Sequence, residues 1–154
     1  MALPGHEAGR PGRAAERFVA ASAVLTGFDT AELAETGMAE SYREFVTRCA
    51  EPPLYAELLD RLTGPAADAR AALAEDESLA ELARAVCHLW YVGEWPGLAA
   101  DEGGPAPRLL SGRAYSRGLV WRGLGGHAPG AGRPGYGTWA APPATAAAAG
   151  GGVR

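Results

Sequence analysis

Between Glu75 and Val92 the apolar residues Leu79, Leu82, Ala83, Val86, Leu89 and Trp90 recur at steps of three and four. That is the period of an α-helix, and a one-sided stripe of this length requires other helices to cover it. Glu77, Glu81, Arg84 and His88 take the opposite side, and Gly93 with Pro96 ends the run. The same period occurs upstream. Phe18, Ala21, Ser22 and Leu25 form a face that stops at Gly27. Asp29 followed by Glu32 is an acidic capping box opening a second helix, whose stripe is Met38, Tyr42, Phe45, Val46 and Cys49. Pro52-Pro53 ends that helix and suits the first turn of the next, where Tyr55, Leu58, Leu59 and Leu62 share a face before Gly64-Pro65. A loop over Gly97–Pro107 then precedes a last helix beginning near Ser111, with Tyr115, Leu119 and Arg122 stacked and Trp121 on a neighbouring face.

No stretch alternates with period two, so the expected fold class is all-α, a single small helical domain of five or six helices. Residues 1–12 are expected as a flexible arm and 13–124 as the helical domain. The composition changes beyond Leu124. Residues 125–143 are rich in Gly and Pro yet carry Tyr136 and Trp139, which a free linker normally lacks. An extended aromatic arm is expected there, anchored on its own helices or on another protein. A disordered Ala/Gly tail is expected over 144–154.

At 154 residues and 15.8 kDa the chain has room for one modest core. A self-contained flavin or nicotinamide dehydrogenase does not fit. The net charge of -4, with both signs scattered, argues for neither nucleic acid nor an anionic membrane. No apolar run reaches the length of a membrane span, and no secretory signal is visible, so a cytoplasmic protein is expected. Cys49 and Cys87 lack metal-ligand spacing and fall on apolar helix faces, where a thiol packs as a small hydrophobe.

Catalytic constellations are thin. Cys87 and His88 point about 100° apart on a helix and cannot grip one ion from one face. Gly123–Ala128 matches the dinucleotide pattern G-x-G-x-x-A by letter. It lacks the preceding strand and following helix through which that loop meets a pyrophosphate. Asp68, Glu75, Asp76, Glu77 and Glu81 cluster at a helix start, where carboxylates complement the helix dipole. No catalytic, cofactor or metal residue is assigned.

What stands out is aromatic placement, since all four tryptophans lie from Trp90 onward. FVAASAVLTGFD, LAELARAVCHLWYVGEWPG, AYSRGLVW and PGYGTWAAPP follow one another over Arg17 to Pro143. In order and spacing they resemble the small subunit of FAD-dependent sugar and polyol dehydrogenases, the sorbitol dehydrogenase small-subunit family. The resemblance implies a helical, non-catalytic accessory subunit. It would bind and stabilise a large subunit of the glucose-methanol-choline (GMC) type, which holds the FAD and performs the hydride transfer. The matched Trp90, Tyr91, Tyr115, Trp121, Tyr136, Trp139, Pro142 and Pro143, with Trp95 from the aromatic placement, are expected as a partner interface, the alternative being a core clamped by the chain's own C-terminal arm.

Three departures accompany it. The twin-arginine signal common in that family is not seen, which favours a cytoplasmic complex. A Cys usual near the closing Gly-Tyr motif is missing. Gly118 replaces a small helix former, at an expected cost of about 1 kcal/mol within a helix. Two rivals stand beside the accessory subunit. One is a free-standing helical adaptor without a flavoprotein. The other is an enzyme using His88, Asp76 and Glu77.

Overall fold

A computed structural model describes residues 11–64, 68–98 and 108–130. Among them the order is α1 (Pro11–Thr26), α2 (Thr30–Glu35), α3 (Ala39–Cys49), α4 (Pro52–Thr63), α5 (Ala69–Glu75), α6 (Glu77–Val92), β1 (Glu94–Trp95), β2 (Arg108–Leu109), α7 (Gly112–Arg117) and α8 (Leu119–Gly123). The class is the small all-α domain that the periodicity requires. Its helices are shorter and more numerous than the five or six expected, and each extra break has an identifiable cause.

The capping box at Asp29 forms as read. Its carboxylate accepts from the Glu32 N–H (2.8 Å), and Glu32 Oε2 accepts from the Asp29 N–H (2.9 Å). The helix it opens does not continue through the Met38–Cys49 stripe. Buried Thr36 donates its hydroxyl to the Leu33 carbonyl (2.7 Å) and accepts from the Met38 N–H (3.1 Å), diverting backbone groups from the helical ladder. Gly37 then takes a left-handed φ of +66° and the chain restarts as α3.

The strongest helix also starts later than Glu75. Asp76 accepts from the N–H groups of Ser78 (2.8 Å) and Leu79 (3.1 Å), which makes it the N-cap of α6. Glu75 instead ends a short α5, itself capped by Asp68 through the Ala71 N–H (3.0 Å).

The last helix breaks at Gly118, which joins α7 to α8 with φ -54° and ψ 136°. The helix-interior cost expected for this glycine therefore does not apply. A Cβ there would lie 2.5 Å from the Tyr91 carbonyl oxygen, so the glycine lets α7–α8 approach the end of α6. One loop expectation changes as well. Glu94 and Trp95 pair antiparallel with Leu109 and Arg108 across the expected loop, a two-residue ladder too short to show period two in sequence.

At the ends, α1 begins at Pro11, inside the stretch expected as an arm, because proline suits the first helical turn. Within residues 125–130, positions 125 and 129–130 are turns and 126 a bend. The N–H of Gly126 donates to the Trp121 carbonyl (2.9 Å), closing α8, and Ala128 is buried. Tyr136, Trp139, Pro142 and Pro143, and the tail 144–154, lie outside the described residues.

The core gathers around α1 and α6. Phe18, Tyr42, Leu33, Val46, Leu58, Leu62, Leu82, Val86, Leu89 and Trp90 are buried in one cluster. Trp90 is its hub. It stacks on Phe18 (centroids 6.2 Å), receives Tyr42 edge-on (4.9 Å), and donates its indole N–H to Ser22 Oγ (2.9 Å). The hydrogen bond offsets the desolvation of a buried indole, and the ring contacts add about 0.5–1.5 kcal/mol each beyond simple burial.

Candidate functional site

Two parts of the structure are candidates for a site. The first is a junction at the C-terminal end of α6. Tyr91, half-buried, donates its hydroxyl to the Thr26 carbonyl (2.8 Å) and meets Phe28 edge-on (6.1 Å). Gly93 takes φ +74°, and a Cβ there would lie 2.6 Å from the Ala114 carbonyl oxygen. Tyr115 and Trp121 pair edge-on at 5.4 Å, and Trp121 donates its indole N–H to the Tyr115 carbonyl (2.8 Å). Trp95 packs edge-on against Phe45 (5.5 Å), whose ring also carries the guanidinium groups of Arg48 (5.8 Å) and Arg108 (5.6 Å).

This geometry sorts the expected interface. Trp90 and Trp95 are 1% and 3% exposed, sealed inside the chain's own core. They offer no face to a partner, and that expectation is corrected. A large aromatic that completes its own core has no area left to bury on binding. Tyr91, Tyr115 and Trp121 are half-buried and keep accessible edges. Three of the four sequence blocks that carry the resemblance thus meet one another here: Trp90 on Ser22 and Phe18, Tyr91 on Thr26, and Gly118 beneath the Tyr91 carbonyl.

The second is an open groove of about 790 Å³ between α1, α5 and α6. Val24 and Leu25 form one wall and Ala69, Arg70, Leu73 and Ala74 the other. Its floor is a single face of α6: Ala80, Ala83, Arg84, Cys87, His88 and Tyr91. Val24 is 52% exposed at the rim. Cys87 donates its thiol to the Leu25 carbonyl (3.4 Å), and burial pushes its pKa above the ordinary 9.0, so it favours the neutral thiol over the nucleophilic thiolate.

Sequence reasoning missed this groove because α5 was not foreseen. Its signal was present in Asp68, a capping residue, followed by the helix-forming run Ala69–Glu75 with Ala72 and Leu73 as the apolar pair.

The acidic residues do local work. Asp76 caps α6, and Glu77 pairs with Arg84 (2.7 Å). His88 Nε2 lies 3.4 Å from Glu94 Oε1 at the exposed edge. Among the described residues no group of three His, Cys, Asp or Glu side chains is placed to hold a metal ion. Cys49 and Cys87 are not disulfide-linked to each other. Among the same residues no helix is long and apolar enough to cross a membrane. No known family model, curated protein or solved structure matches this chain.

Proposed function

We propose that this chain is a non-catalytic accessory subunit that binds and stabilises an FAD-dependent GMC-type alcohol or sugar dehydrogenase. The observation that carries a binding role is the open groove between α1, α5 and α6, where Val24 is exposed and Leu25, Leu73 and Tyr91 are only partly covered. Uncovered apolar surface at a built concavity is what a protein partner removes from water. The identity of the partner rests on the ordered sequence blocks described above, from Phe18 to Pro143. In this reading the subunit adds no reacting group. It works by covering surface that the flavoprotein leaves exposed, with the FAD held entirely in the partner. Its place of action is the cytoplasm.

The test is a pull-down of the tagged chain from its native lysate, followed by an absorption spectrum of the eluate. An equimolar large protein with an oxidised-flavin band is the expected result. A second arm expresses the large subunit alone, which is expected to be insoluble or poor in flavin. Capture of a partner without flavin would replace this reading with that of a free-standing adaptor.

A further inference from the structure

Across the whole chain, 18 carboxylates outnumber 14 arginines. The groove between α1, α5 and α6 reverses that balance. Arg70 and Arg84 line it and, among the described residues, no Asp or Glu does; His88, also in the lining, faces Glu94 at 3.4 Å. Apolar walls under a cationic rim select an occupant that is apolar on one side and acidic on its flanks.

The shape of the floor says what form that occupant takes. Ala80, Ala83, Arg84, Cys87, His88 and Tyr91 stand at steps of three, one, three, one and three, a single face of α6. Eleven steps of about 1.5 Å from Ala80 to Tyr91 give a trough of roughly 16 Å, three helical turns long. Ala80 and Ala83 lie buried at its bottom, so an incoming rod meets half-buried Cys87 and Tyr91 together with the Leu25 and Leu73 walls. The trough is open to solvent along its top, which suits a rod laid in from outside better than an enclosed small molecule.

We infer that this groove is a docking site for an amphipathic helix of a partner protein, with apolar residues facing α6 and acidic residues flanking them. The inference rests on the accessory-subunit reading and names the kind of surface the partner inserts. Leu25, Leu73 and Tyr91 take the apolar ridge of that helix. Arg70 and Arg84 take its carboxylates. Arg84 is already paired with Glu77, but both side chains are more than half exposed, so exchanging that partner is cheap.

The experiment uses the full chain and two fluorescein-labelled synthetic helices of three heptads. Both carry leucines at the same positions; one has glutamates and the other lysines on the flanks. Fluorescence anisotropy is expected to show saturable binding of the acidic helix and binding at least about tenfold weaker for the basic one. The exposed double variant Arg70→Glu/Arg84→Glu is expected to invert that preference. Leu73→Asp is expected to abolish binding of both, with the helical circular dichroism retained.

Equal affinity for the two helices, or an unchanged preference in the double variant, would overturn the inference. So would dimerisation of the chain that Leu73→Asp abolishes, which would give the groove to a second copy. Binding that appears only after removal of residues 131–154 would likewise overturn it, in favour of the chain's own C-terminal segment.

The pull-down separates this inference from the reading beneath it. A double variant that captures the flavoprotein as well as the wild type overturns the groove and leaves the accessory role standing. Selective binding of the acidic helix by a chain that captures no flavoprotein upholds the groove and removes the accessory role.

Discussion

Helix α6 presents two faces that differ in side-chain size and behave differently in space. One face, with Leu82, Val86, Leu89 and Trp90, is covered by α1, α3 and α4, and its hub indole is hydrogen-bonded and ring-packed. The other, with Ala80, Ala83, Cys87 and Tyr91, is walled by α1 and α5 but left open above. The difference lies in side-chain size and in what each neighbour can reach. Large side chains fill the first face from within, whereas small ones leave the second a trough. Among the described residues only the first face is fully covered; the second keeps Cys87 and Tyr91 half-buried beside Arg84 and His88.

The comparison makes a steep prediction at the sealed face. Trp90→Ala removes the hub, strands the Ser22 hydroxyl and opens a cavity against Phe18 and Tyr42. A loss of about 3–5 kcal/mol is expected in urea denaturation. Next is Gly93→Ala, which forces a left-handed φ of +74° on a residue with a Cβ and drives that carbon into the Ala114 backbone. At least about 2 kcal/mol of destabilisation is expected, read as a drop in melting temperature.

A matched pair of truncations sharpens the contrast directly. Leu89→Ala on the sealed face, where the side chain is fully buried, should cost about 2–5 kcal/mol. Leu73→Ala on the groove wall, where the side chain is partly in water already, should cost under about 1.5 kcal/mol. Equal losses at the two positions would erase the distinction between the faces.

The smallest expected effect comes from Tyr42→Phe. The Tyr42 hydroxyl is buried without a hydrogen-bond partner, so its removal should be neutral or stabilising by up to about 1 kcal/mol near neutral pH. The variant should also change the alkaline limb. Burial raises the Tyr42 pKa above its ordinary 10.0, so the unfolded chain loses this proton first as pH rises. Stability from this group is therefore fully present below pH 10 and lost progressively above it. Tyr55 and Cys87, both raised mainly by burial, act in the same direction. Tyr42→Phe should flatten the fall in melting temperature above pH 10, and an unchanged slope would show that the hydroxyl is solvated.

Much of this molecule was legible before any coordinates. The stripe from Leu79 to Trp90, the capping box at Asp29 and Glu32, the Pro52-Pro53 restart and the stop at Gly93 all depend on residues close in sequence. Local chemistry suffices for each. The breaks at Gly37 and Gly118 did not stand out, because a glycine within a helical pattern is ambiguous. Gly37 breaks its helix with help from the Thr36 hydroxyl, whereas Gly118 is set by the carbonyl of Tyr91, remote in sequence. The short α5 escaped notice because seven residues make too little periodic signal.

The sequence by itself determined that this chain is helical, which faces of its helices are apolar, and where most of them begin and end. Those properties follow from side-chain spacing and from capping groups within a few residues. Only the tertiary structure decided that Trp90 and Trp95 complete the chain's own core while Tyr91, Tyr115 and Trp121 keep accessible edges. It alone placed Arg70, Arg84 and His88 together on an uncovered groove. Burial and charge reversal are properties of several elements packed side by side. Spacing along one helix describes what a face is made of but not whether anything covers it.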